Sequence, residues 1–212
     1  MKKGLFITFE GMEGCGKSTQ IHLLAEELKL AGREIVVTRS PGGTPVAERI
    51  RAILKTRTDG EDLAPETELL LFGACHAQMT RTLITPVLER GAILLCDRFF
   101  DSTTAYQGYA RGLDMDMVLR VNRFACGFVQ PDLTLLLDID PVQGIERSRN
   151  RAALETDRFD SEKMKFHRDV RAAFLDLAEK HRDRFRVIDA SLEVSQVHAQ
   201  IMEAVHARLE NL

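Results

Sequence analysis

Residues 11–19 read Gly11-Met12-Glu13-Gly14-Cys15-Gly16-Lys17-Ser18-Thr19 and set Gly11, Gly16, Lys17 and Ser18 in the register G-x-x-x-x-G-K-[ST]. That spacing suits a polyphosphate. Glycines let backbone N–H groups converge on the anion, Lys17 can reach the outer phosphates, and the Ser18 hydroxyl can ligate magnesium. A loop that merely joined two elements would need one or two glycines, and would have no use for a lysine and a serine at fixed offsets. Cys15 is read as a small residue that the loop accepts rather than as a reactive thiol.

Moving a phosphoryl group between two polyanions requires cations at both ends. Arg39, Arg51 and Arg98 are the candidates for the acceptor end. Asp97 closes the apolar run Ile93-Leu94-Leu95-Cys96 and is a candidate second magnesium-organising position. Arg147, Arg149, Arg151 and Arg158 lie in the segment 147–160, expected to be a mobile lid that closes over the triphosphate and excludes water. Arg147, Arg149 and Arg151 are two apart, which speaks against their being one solvated helix face.

The elements that must position these residues alternate along the chain. Strands are expected at 5–9, 34–38, 93–97, 133–138 and 186–189. Helical patterns run over 18–30, 46–54, 66–89, 116–126, 161–182 and 194–209, and Pro141 opens a further helix. The stretch Arg39-Ser40-Pro41-Gly42-Gly43-Thr44-Pro45 stops any regular element, and residues 97–108 form a dense polar block directly after a core strand. The alternation predicts one α/β domain, a three-layer fold of the P-loop NTPase kind, with a parallel sheet of about five strands flanked by helices. Loops at the carboxyl ends of such strands share one crevice.

With 212 residues, 44% of them hydrophobic and 29% charged, the chain is expected to be an ordinary soluble globular protein. Its net charge of -3 argues against a nucleic-acid surface. Cys15, Cys75, Cys96 and Cys126 are scattered, without zinc-ligand or disulfide spacing, and no stretch reads as a leader or a membrane span. A cytoplasmic protein is expected. No N-K-x-D or L-S-G-G-Q-like motif appears, so a GTPase switch and a transporter ATPase are disfavoured.

Five blocks together resemble the thymidylate (dTMP) kinase family, bacterial type: FEGMEGCGKSTQ at 9–20, TRSPGGTP at 38–45, DRFFDSTTAYQGYARG at 97–112, PDLTLLLDID at 131–140 and RSRNRAALETDRFD at 147–160. Their order and spacing cover essentially the whole chain. The resemblance implies magnesium-dependent transfer of the ATP γ-phosphate to dTMP, and a homodimer. It implies that Phe72 stacks on thymine, that Arg98 with Arg51 and Arg39 holds the acceptor phosphate, and that Thr103 and Gln107 face the base. Tyr106 would abut the deoxyribose, and Glu13 would lie near the sugar hydroxyl and the metal. Gly14 stands where some members carry arginine, which implies that the lid supplies the transition-state arginine, Arg149 among the candidates. The chain departs from the family at Ser40, usually acidic, and at His76, usually an arginine that donates to the base. A neutral histidine lacks the permanent two-pronged donor of arginine. Kinases for other pyrimidine monophosphates, or a catalytically weak nucleotide-binding paralogue, therefore remain as alternatives.

Overall fold

The computed structural model describes residues 4–56, 61–151 and 163–210. Five strands, β1 (Leu5–Glu10), β2 (Ile35–Arg39), β3 (Ile93–Asp97), β4 (Leu133–Asp138) and β5 (Phe185–Asp189), form one sheet in the order β2-β3-β1-β4-β5. All four pairings are parallel. The central strand, β1, is buried along its whole length. Its alternation sorts two cores: Leu5, Ile7 and Phe9 pack with Leu24 of α1 (Lys17–Leu30) and Ile201 of α9 (Val194–Leu209). On the opposite face, Phe6 packs with Leu94, Cys96, Phe99 and Met79. Burying a side chain of this size contributes about 1.5–3 kcal/mol. A third cluster sets Leu136 and Phe185 against Phe166, Val170 and Phe174 of α8 (Met164–Lys180).

Local chemistry explains where the other helices begin. Thr44 caps α2 (Pro45–Lys55), its hydroxyl accepting from the Ala47 amide at 3.2 Å with Pro45 in the first turn. Asp114 caps α6 (Met115–Cys126) by accepting from the Met117 amide at 2.8 Å. The helical pattern expected over 66–89 is three pieces: α3 (Pro65–Met79), a π-helical turn (Thr80–Ile84) and α4 (Thr85–Glu89). Pro86 accounts for the break, since it lacks an N–H and its ring crowds the preceding turn. The polar block after β3 forms α5 (Phe100–Thr103) and a second π-helical segment (Thr104–Ala110).

One expectation is corrected. The spacing of the arginines was read as against their sharing one helix face, yet they lie on α7 (Pro141–Arg151), where Arg147 and Arg151 stand four apart. Arg158 lies outside the described residues. Among the described residues, no helix is long and apolar enough to cross a membrane.

Candidate active site

The loop between β1 and α1 can be built only from glycine at two places. A Cβ on Gly11 would come within 2.4 Å of the Leu137 carbonyl oxygen, and one on Gly14 within 1.9 Å of the Gly144 oxygen; both have positive φ. Gly14 thus lets α7 sit directly on the loop. α1 begins at Lys17 with no side-chain cap from Gly16, and its positive N-terminal end meets the loop, as an anion site requires. Lys17 is buried and donates to the Met12 oxygen at 2.8 Å and the Gly11 oxygen at 3.2 Å, so its ammonium crosses the loop from inside.

Exposed Ser18 shares a cleft with Asp97 at the end of β3. The Asp97 Oδ1 atom is buried without a hydrogen-bond partner among the described residues. A carboxylate and an exposed hydroxyl lining one cleft are a donor set that fits magnesium, which keeps several waters and phosphate oxygens of its own. Among the described residues, no cluster of three or more His, Cys, Asp or Glu side chains could hold a metal alone.

A second cleft of about 720 Å³ opens beside the loop, and all eight acceptor residues read from the sequence line it: Arg39, Arg51, Phe72, His76, Arg98, Thr103, Tyr106 and Gln107. Glu13 and Asp97 line it too. Strand ends β2 and β3, with α2, α3 and the π-helical segment after α5, bring them together.

Arg98 is the hub of this cleft. It adopts φ +69°, a left-handed conformation that costs a non-glycine residue about 1–3 kcal/mol. Its amide donates to the Phe9 oxygen at 3.0 Å, which binds the turn to β1. Its guanidinium donates to Glu13 Oε1 at 2.7 Å and Ser102 Oγ at 3.0 Å, and lies 5.3 Å from the Tyr106 ring centroid. The Tyr106 hydroxyl donates to Glu13 Oε2 at 3.0 Å. Burial favours neutral Glu13, but the Arg98 and Lys17 charges win and hold its carboxyl below the ordinary value. Below this pair, Glu10 accepts from the Phe99 amide at 2.8 Å and from Ser102 Oγ at 2.5 Å. Burial, reinforced by Asp101 and opposed by Arg98, raises the Glu10 pKa to about 8.

Arg39 and Arg51 are already engaged at the rim. Arg39 donates to Glu48 at 3.1 Å, and Arg51 to the Pro41 oxygen at 2.7 Å. At the opposite end, His76 packs its ring 5.0 Å from Phe99 and 6.5 Å from Phe72, centroid to centroid. Burial drives its pKa down to about 3, so it is neutral at physiological pH. Gln107 donates through Nε2 to Glu68 Oε1 at 2.7 Å.

On α7, Arg147 does not stand free as part of a lid. It donates to the Ala190 and Ser191 oxygens at 2.8 and 3.2 Å, joining α7 to the loop after β5; Arg147 and Arg149 are both exposed.

Sequence reasoning passed over Glu10, Ser102 and Glu68. Glu10 had a signal, as a carboxylate ending a largely apolar strand next to the phosphate loop. Glu68 had another: Glu68, Phe72 and His76 recur every four residues on one helix face.

Comparison with known proteins agrees with this geometry. The family model described as "Thymidylate kinase" matches residues 9–201. A thymidylate kinase of Citrifermentans bemidjiense is 45% identical, over 99% of this chain and 94% of its own length. One of Geobacter sulfurreducens is 48% identical over 89% and 90%. The crystal structure of thymidylate kinase from Ehrlichia chaffeensis superposes with a TM-score of 0.78 at 35% identity, covering 96% of this chain and 99% of that one.

Proposed function

The chain belongs to the thymidylate kinase family, and from that membership we propose that it transfers the γ-phosphoryl group of ATP to dTMP, giving dTDP and ADP. The observation that carries this reading is the single cleft that joins the loop residue Glu13, through Arg98, to the aromatic end formed by Phe72 and His76.

In this reading the loop amides of residues 14–19 and Lys17 hold the donor phosphates. Arg98, with Arg39 and Arg51 drawn from their present partners, holds the acceptor phosphate in line. An acceptor oxygen then bonds to the γ-phosphorus as the bond to the ADP oxygen breaks, through a loose, metaphosphate-like transition state. Arg98 and an α7 arginine, Arg149 in the first instance, neutralise the spreading charge. Tyr106, kept as a phenol by burial and by Glu13, abuts the sugar, and Phe72 offers its face to the base. Magnesium, held by Ser18 and Asp97, would supply charge neutralisation on the donor phosphates. Glu13, bound by Arg98 and Tyr106, is a positioning group for both.

The experiment is transfer of label from γ-labelled ATP to dTMP with magnesium, followed by separation of the nucleotides. Labelled dTDP is expected from the wild type, and Lys17→Ala should lose it by about 10³-fold or more while melting normally, since its charge acts on phosphate. Wild-type-like transfer by that variant would overturn the assignment of the loop. Neutral His76 favours a second reading, a kinase for another pyrimidine monophosphate, because it does not impose a donor on the base.

A homodimer in the cytoplasm completes the proposal. Leu70 of α3 and Phe124 of α6 are 61% and 83% exposed beside a groove floored by Gly73, Ala74 and Ala77, an apolar face suited to a second copy.

A further inference from the structure

We propose that Glu68 sets the base selectivity of the acceptor cleft: it holds the Gln107 amide in one orientation, so that the carbonyl oxygen is what the pyrimidine meets and only a ring N3 carrying hydrogen is accepted. The inference rests on the phosphoryl transfer to a pyrimidine monophosphate proposed above. Glu68 is 1% exposed and Gln107 fully buried, and Gln107 Nε2 lies 2.7 Å from Glu68 Oε1. A carboxylate only accepts hydrogen bonds, so it selects the amide nitrogen as its neighbour. Arg111 approaches the same oxygen at 3.4 Å, and its guanidinium lies 4.8 Å from the Phe166 ring centroid, which anchors the Glu68 charge. Turning the Gln107 amide over would set its carbonyl oxygen against that carboxylate between two buried side chains, an arrangement of two acceptors that buried sites avoid.

The orientation leaves Gln107 Oε1 without a partner among the described residues, on a side chain that lines the cleft. Thymine and uracil present N3–H to such an acceptor. Cytosine presents a lone pair, and would leave both atoms unpaired. Position 4 of the base offers no comparable check. His76 is 1% exposed, and its Nδ1 has no partner among the described residues. A neutral imidazole places hydrogen on either nitrogen, so it can donate to a 4-oxo group or accept from a 4-amino group. Discrimination therefore falls on Gln107 and, through it, on Glu68, a positioning residue that need not touch the base.

The test compares kcat/KM for dTMP, dUMP and dCMP in the wild type and in Glu68→Gln. A glutamine at 68 can donate as well as accept, so it frees the Gln107 amide to turn. We expect the dTMP-to-dCMP preference to fall by about tenfold or more, mainly through KM for dCMP, with dUMP tracking dTMP. Equal losses for dTMP and dCMP, leaving the ratio intact, would mean that Glu68 is merely structural and would overturn the proposal. Independently of how the variant folds, the Gln107 side-chain NH₂ in 15N-labelled wild type, assigned with Gln107→Met, should exchange slowly with solvent both free and with dTMP bound. Exchange as fast as in exposed glutamines would also overturn the proposal. A wild type that ignores dTMP sinks the kinase reading itself, whereas an active dTMP kinase with an unaltered ratio in the variant sinks only the role of Glu68.

Discussion

Arg98 shows how much a single side chain is asked to do in this cleft: it links Glu13, Ser102 and Tyr106 while standing in a left-handed backbone conformation. A group so heavily partnered is already aimed before any phosphate arrives, which lowers the ordering cost of binding. Arg149 is the contrasting case, exposed on α7. Arg149→Ala is expected to lower kcat by about 10³-fold with little change in KM for dTMP, the pattern of charge met only in the transition state. An unchanged kcat would make Arg149 a surface residue. Legibility at this scale followed sequence distance. Lys17 and Ser18 were readable because their offsets from Gly11 carry the chemistry. Glu68 was legible only as part of the helix face it shares with Phe72 and His76; its contact was not, because its partner Gln107 is 39 residues away. The contacts of Arg147 were not legible for a related reason, since the carbonyls it serves lie 43 and 44 residues further on.

The strands and α9 were legible to within a residue or so, because short apolar runs bounded by turn residues and helical periodicity are local signals. The π-helical segments were not: a dense polar block has no apolar period, and the helix at 100–110 is held by tertiary contacts. One of these is the buried pair formed by Arg184, which donates to Asp101 at 2.7 and 2.8 Å and also to Thr134. Asp101→Ala should destabilise the fold by about 3–5 kcal/mol in urea titration, because it strands a buried guanidinium. A loss within 1 kcal/mol, on the order expected of exposed pairs, would show that water compensates. Glu10, in the same layer, adds a pH dependence. Its folded pKa, about 8 against an ordinary 4.5, means the folded chain binds its proton more tightly than the unfolded chain. Its contribution is full below 4.5 and is lost as pH rises through about 8. His76 acts at the other end: its folded pKa of about 3, against 6.5, removes stability as pH falls from 6.5 toward 3. Urea midpoints measured across pH 5–9 should decline on the alkaline side, and Glu10→Gln should flatten that decline; an identical slope in the variant would assign it to other groups.

For the whole molecule, the order β2-β3-β1-β4-β5 matters most, because it places the loop after central β1 beside the ends of β2 and β3. Alternating strands and helices predicted the parallel sheet and the convergence at its carboxyl edge, but not the strand order that sets Arg98 against Glu13. The apolar face at Leu70 and Phe124 belongs to this scale as well. Phe124→Glu should convert the expected dimer to a monomer in sedimentation, and a wild type that is monomeric at all concentrations would remove that part of the proposal. The central claim, that the cleft passes phosphate from ATP to dTMP, is tested most directly by kcat/KM with magnesium and ATP across dTMP, dUMP, dCMP and dGMP. The account predicts that dTMP is the best acceptor, with one ADP formed per dTDP; dTMP among the worst acceptors, or no ADP formed with any of the four, would contradict it.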